Sequence, residues 1–174
     1  CGFVAGIMQK QDDLLLILNT KAAANKMFRS LQAHYNETGE SIRIIHLSTN
    51  MCAEHRLNEI KQIKSSLKKE RFICVSTSLI EAGVDLSFSC VVRSFAGLDS
   101  IAQAAGRCNR NGEVEEGIVY LVRYKEELIG RLKQIDKGAK CSAAVADAFA
   151  ENPKRYQDDL LSPNALDSFY QHFY

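Results

Sequence analysis

The sequence predicts an α/β domain: a parallel sheet of about five or six strands with helices on both faces, followed by a helical C-terminal appendage. Three observations carry that expectation. Five short apolar runs, Leu14 to Leu18, Ile42 to Leu47, Phe72 to Val75, Cys90 to Val92 and Ile118 to Val122, have the length and β-branched content of buried strands. Segments with helical spacing stand between them, and strands alternating with helices form βαβ units whose right-handed crossovers build a parallel sheet. After about Tyr124 the strand pattern stops, and Ala143 to Ala150, punctuated by Pro153 and Pro163, reads as helices. The expected division is a sheet domain over residues 1–124 and a helical extension or linker over 125–174, reaching toward a domain absent from this chain.

The elements follow in order. After the first run, Ala24, Met27, Phe28, Leu31 and Tyr35 keep the spacing of an amphipathic helix, with Thr20 as its N-cap. After the second, Leu57, Ile60, Ile63 and Leu67 form an apolar stripe flanked by Lys61, Lys64, Lys68 and Lys69, lysines that read as a solvated face. The closing stretch Asp167-Ser-Phe-Tyr-Gln-His-Phe-Tyr174 is rich in aromatics and is expected to pack on the lobe or on an absent domain. The chain opens at Cys1 in apolar sequence without a signal-peptide pattern, as an excised piece would.

Composition narrows the function classes. Lys and Arg number 22 against 21 Asp and Glu, so a net charge of +1 gives no bulk attraction to a polyanion and any nucleic-acid contact must be local. No stretch approaches the roughly 20 apolar residues of a membrane span, so no membrane partner is expected. The cysteines at 1, 52, 74, 90, 108 and 141 form no Cys-x-x-Cys pair and no metal-ligand spacing with histidine. Cys74 and Cys90 fall within apolar runs, which suits reduced thiols and a cytoplasmic location, with no metal site.

Ligands of such sheets bind at the carboxyl ends of the strands, which directs attention to Asn19-Thr20, Ser48-Thr49, Ser76-Thr77 and the segment from Phe95 onward. The most informative stretch is Ser100-Ile-Ala-Gln-Ala-Ala-Gly-Arg-Cys-Asn-Arg-Asn-Gly112. Continued as one helix, it sets Gln103, Arg107 and Arg110 at i, i+4 and i+7, so an amide and two guanidinium groups share a face that matches a phosphoryl group. The bland alternative is two surface arginines on an alanine-rich helix. Upstream, Ser76-Thr-Ser-Leu-Ile-Glu-Ala-Gly-Val-Asp85 ends a strand in hydroxyls and turns through Gly83 to Asp85, an arrangement suited to a phosphate and a ribose hydroxyl. Glu-Ala-Gly is also an ordinary helix stop.

Together these segments resemble motifs V and VI of superfamily 2 helicases. Ile80-Glu-Ala-Gly-Val-Asp-Leu86 and Ala105-Gly-Arg-Cys-Asn-Arg-Asn-Gly112, with Asn109 between the arginines, are most similar to the CRISPR-associated helicase-nuclease of type I systems. His46-Leu-Ser-Thr-Asn-Met-Cys-Ala-Glu-His-Arg56 and Leu16-Ile-Leu-Asn-Thr20 resemble further segments of that family, so the likeness spans roughly residues 14 to 122. It implies the C-terminal RecA-like lobe of a motor that uses ATP with Mg2+, both held mainly by an absent first lobe. Gln103, Arg107 and Arg110 would face ATP, the two arginines acting on its γ-phosphate, and Asp85 with Gly83 would meet the nucleotide or the lobe interface. Asn19, Thr20, Ser48, Thr49 and Thr77 would line the track of single-stranded DNA, supported by His46 and Arg56, although His46 also reads as an ordinary strand-end histidine. The implied partners are single-stranded DNA, the first lobe and nuclease domain of the same parent, and an RNA-guided surveillance complex. The chain carries no Gly-x-x-x-x-Gly-Lys-Ser/Thr loop, no Asp-Glu-x-His segment and no His-Asp pair, so it is expected to be inactive alone. Two alternatives stand beside this reading: a non-catalytic docking module, and a lobe of an RNA or DNA-repair helicase.

Overall fold

A computed structural model describes residues 1–47, 51–67, 69–81, 85–112 and 115–174. Of the candidate site residues, Ser48, Thr49 and Gly83 lie outside the described residues. The five apolar runs form five parallel strands, β1 (Asp13–Ile17), β2 (Arg43–Leu47), β3 (Phe72–Ser76), β4 (Cys90–Ser94) and β5 (Ile118–Val122), in the order β2-β3-β1-β4-β5. Around them lie α1 (Gly2–Met8), α2 (Lys21–Thr38), α3 (Ala53–Ser66), α4 (Leu98–Ala105), α5 (Lys133–Glu151) and α6 (Pro163–Phe173).

β1 is central because it is apolar on both faces. Its side chains alternate, so Leu14, Leu16 and Leu18 join Ala24, Met27, Leu31 and Tyr35 of α2 together with α1, while Leu15 and Ile17 join Ile63 of α3 and Ala104 of α4. Each leucine so buried contributes roughly 1.5–3 kcal/mol. α2 begins where the Thr20 hydroxyl accepts from Ala23 N at 3.1 Å, and it ends at Gly39, whose left-handed φ of 71° suits glycine. Cys74 and Cys90 are buried as small apolar groups, and burial pushes the Cys90 thiol up to about 12.

The structure differs from the sequence expectation at four places. Leu57 is 57% exposed, because the core face of α3 is set by Ile63, with Ile60 and Leu67 packed beside it. β5 is an edge strand with Ile118 and Leu121 partly exposed, not a buried one. α1 precedes the first strand and tucks Val4, Ile7 and Met8 into the core. The arginine-bearing segment does not continue its helix, since α4 stops at Ala105.

Beyond β5, α5 and α6 build a third cluster with α4: Leu98 and Ile101 meet Cys141, Val145, Tyr156, Ala165 and Phe169. Phe173 packs against the same cluster, whereas Tyr170 and Tyr174 stack on each other and face outward. The aromatic tail therefore splits between a lobe-bound half and an exposed half. No helix among the described residues is long and apolar enough to cross a membrane.

Candidate functional site

Two groups of polar residues are separated by the length of β4. The first gathers at the carboxyl ends of β1, β3 and β4. There the half-buried Asn19 donates through Nδ2 to Phe95 O at 3.0 Å and to Glu127 Oε2 at 2.9 Å, and its Oδ1 accepts from Arg93 Nη1 at 2.7 Å. The backbone N–H groups of Asn19 and Thr20 both donate to Glu127 Oε1, at 2.5 and 2.9 Å. Ser94 Oγ donates to Glu127 Oε2, and Arg93 Nη2 reaches Ser100 Oγ at 3.0 Å. Arg93 and Glu127 are buried, so a buried cation and a buried anion are joined through the amide of Asn19. Thr77 is also buried here, and Ser76 Oγ donates to Leu47 O at 3.2 Å.

Sequence reading picked out Asn19, Thr20 and Thr77 but missed Arg93 and Glu127. For Arg93 a signal existed: a lone charge inside Cys90-Val-Val-Arg-Ser94 must be satisfied if that run is buried. For Glu127 there was none, because Lys125-Glu-Glu127 is indistinguishable from a solvated turn.

His46 and Arg56 stand apart from this cluster. The His46 ring stacks on Phe28 with centroids 5.2 Å apart, and the pair lines a hollow of about 430 Å³ with Arg43, Met51, His55 and Glu59. Burial pushes the His46 imidazole below its ordinary value. Arg56 is half-buried in the first turn of α3.

The second group lies at the opposite end of β4 from Ser94. After α4 the chain bridges to Phe88, two residues ahead of β4: Phe88 N donates to Arg107 O at 2.9 Å, and Asn109 N donates to Phe88 O at 2.8 Å. This bridge ends the helix, and Asn109 turns the chain at a left-handed φ of 47°, a conformation asparagine tolerates better than most residues. Gln103, Arg107 and Arg110 consequently do not project from one helical face. Gln103 is exposed on α4, Arg107 is 8% exposed, and Arg110 faces solvent with Nε 3.7 Å from Asp85 Oδ1. The structure thus brings Asp85 and Arg110 together across 25 positions of sequence (110 − 85) and leaves Arg110 the outward-facing arginine of the two. Gly117 allows this packing, since a Cβ there would lie 2.7 Å from Asn109 Cβ and 2.9 Å from Cys108 Sγ. Among the described residues, no group of three His, Cys, Asp or Glu could hold a metal ion.

Residues 10–113, more than half of the chain, match the family model described as CRISPR-associated nuclease/helicase Cas3, C-terminal. A curated CRISPR-associated nuclease/helicase Cas3 of Haloferax volcanii is 64% identical over 42 residues, 24% of this chain and 4% of that protein. The crystal structure of T. fusca Cas3-ATP is similar over 98% of this chain and 22% of its own, with a TM-score of 0.71 and 14% identity. Domain 2 of the DEAD-box helicase Mss116p, bound to an RNA duplex, is similar over 99% of this chain and 78% of its own, with a TM-score of 0.58 and 13% identity. At such identities the structural likeness is one of fold. The chain spans less than a quarter of the length of the two Cas3 proteins. On a family match that runs from just before β1 through the arginine-bearing turn, the chain belongs to the family of the CRISPR-associated nuclease/helicase Cas3, C-terminal, with the fold of a RecA-like second helicase lobe.

Proposed function

We propose that this chain is the second motor lobe of an ATP-dependent single-stranded DNA translocase acting in type I CRISPR interference, an antiviral defence. The observation that carries the reading is the Asp85–Arg110 pair. It joins the segment after β3 to the turn after α4 and presents an exposed guanidinium at the end of the lobe away from the Asn19 cluster. Its 3.7 Å separation and high exposure make the pair weak, so Arg110 can exchange the carboxylate for a phosphate. A guanidinium inserted into a nucleotide held by another lobe stabilises charge that develops in phosphoryl transfer, by about 10³–10⁵ in rate.

In this reading ATP and its Mg2+ sit mainly on the first lobe and supply the transferable phosphoryl group. Arg110 extends toward that phosphate, while Gln103 and the more buried Arg107 support it. Gly83 and Asp85 border the nucleotide or the lobe interface. Asn19, Thr20 and Thr77 belong to the strand track at the carboxyl edge, with His46 and Arg56 on its flank, and Ser48 and Thr49 are assigned to the same track on the family resemblance alone. Contacts there go to phosphates and carry no sequence preference, as a translocating motor requires. Residues 1–124 form the lobe proper and 125–174 a helical extension toward a further domain. An RNA-guided surveillance complex recruits the parent, whose nuclease domain degrades the displaced strand.

The test is ATP hydrolysis by the full-length protein, with and without single-stranded DNA, for wild type and Arg110→Ala, after showing that the variant folds and binds nucleotide. DNA-stimulated turnover is expected to fall at least ~10²-fold in the variant. Unchanged turnover would remove Arg110 from the reaction and favour a docking role for the lobe. RNA in place of DNA separates an RNA motor from a DNA motor.

A further inference from the structure

The carboxyl-edge cluster raises a difficulty for direct strand binding. Both backbone N–H groups of the Asn19–Thr20 corner are taken by Glu127 Oε1, and the Asn19 amide is taken by Arg93, Glu127 and Phe95. Only the Thr20 hydroxyl, which accepts from Ala23 N, keeps a proton to donate outward. We infer that Glu127 is a positioning residue for the strand-binding corner: its buried carboxylate holds the Asn19 and Thr20 amides so that the Thr20 hydroxyl is fixed toward a backbone phosphate. This rests on the proposed strand-binding function of the corner.

The geometry favours a positioning role over incidental packing. Glu127 accepts from four donors on two segments: the Asn19 and Thr20 amides and the Asn19 side chain ahead of α2, and Ser94 at the end of β4. Asn19 carries the constraint onward to Arg93, and Arg93 to Ser100 in α4, the helix that bears Gln103. The neighbouring Glu126 does nothing of this kind. It pairs with Lys26 at the surface, both side chains more than half exposed, and so provides an internal control.

The experiment uses the full-length protein and compares Glu127→Ala and Glu127→Gln with Glu126→Ala. Two readouts are needed: hydrogen exchange of the segment spanning Asn19 and Thr20, and affinity for a short oligothymidylate together with ATP turnover at saturating DNA. Glu127→Ala is expected to speed exchange in that segment, to weaken DNA binding by ~10-fold or more, the scale of one lost charge-assisted contact, and to raise the DNA concentration for half-maximal turnover while maximal turnover holds. Glu127→Gln, which keeps an oxygen for the two amides, should recover most of the affinity, and Glu126→Ala should match wild type. If Glu127→Ala does not fold, Glu127→Asp takes its place, since a carboxylate one methylene shorter keeps the charge but is drawn back from the Asn19 and Thr20 amides. DNA affinity that stays unchanged or rises in Glu127→Ala, or in Glu127→Asp where that replaces it, overturns the proposal; a rise means that the carboxylate had been blocking the corner. Wild-type protein that binds no DNA overturns the motor reading and this role with it, an outcome separate from wild-type binding that the variant leaves intact.

Discussion

Asn19 spends both halves of its amide inside the lobe, as acceptor toward Arg93 and donor toward Glu127, and no other side chain of its size presents both functions in that geometry. His46 shows the complementary case, a titratable ring held by an aromatic neighbour. Burial lowers its folded-state pKa below the ordinary 6.5, so the unfolded chain takes up the proton first as pH falls. The contribution of His46 to stability is therefore fully present above that value and is lost as pH drops toward the folded-state value. Denaturant midpoints taken above and below pH 6.5 should show this loss, and His46→Phe, which keeps the stack on Phe28, should make the curve shallower. A slope identical in the variant would mean that the ring protonates without cost.

At the level of elements, Gly117 decides how closely β5 approaches the turn that carries the arginines. Gly117→Ala places a methyl group within 3 Å of Asn109 Cβ and Cys108 Sγ, so the turn must move. The expected cost is about 1–3 kcal/mol, read as a lower melting temperature, with a fall in ATP turnover of the parent even though Arg107 and Arg110 are untouched. The strands were legible because short apolar runs alternate with helical spacing, and three of the five end at Asn19, Ser48 and Ser76. Leu14 to Leu18, apolar on both faces, suits a central place, but which strands flank β1 was settled only by the structure. The stop of α4 was not legible: Gly106 is tolerated within helices, and what ends this one is a bridge to Phe88, distant in sequence. For the same reason the spacing of Gln103, Arg107 and Arg110 suggested a common helical face that the fold does not build. Glu127 escaped notice because its burial depends on where the chain turns after β5.

Across the whole molecule, the two polar groups sit at opposite ends of β4, and α4 runs between them, hydrogen-bonded by Arg93 at Ser100 and followed by Arg107 at its other end. In the proposed function one end serves a strand and the other a nucleotide, each as half of a cleft whose remaining contacts come from another lobe. The 174-residue chain on its own should release no phosphate from ATP above background, with or without DNA; measurable turnover would show that a phosphate site exists within it.

The strand order has a consequence for biosynthesis. β1, the middle of the finished sheet, is made first among the strands, yet its neighbours β3 and β4 begin only at Phe72 and Cys90. On a growing chain the segment Leu14 to Leu18 therefore waits, both faces apolar, with both edges open until β3 is made and one edge open until β4. Nascent chains halted before β4 would expose an unpaired apolar edge and should be the species that chaperones hold or that aggregates first.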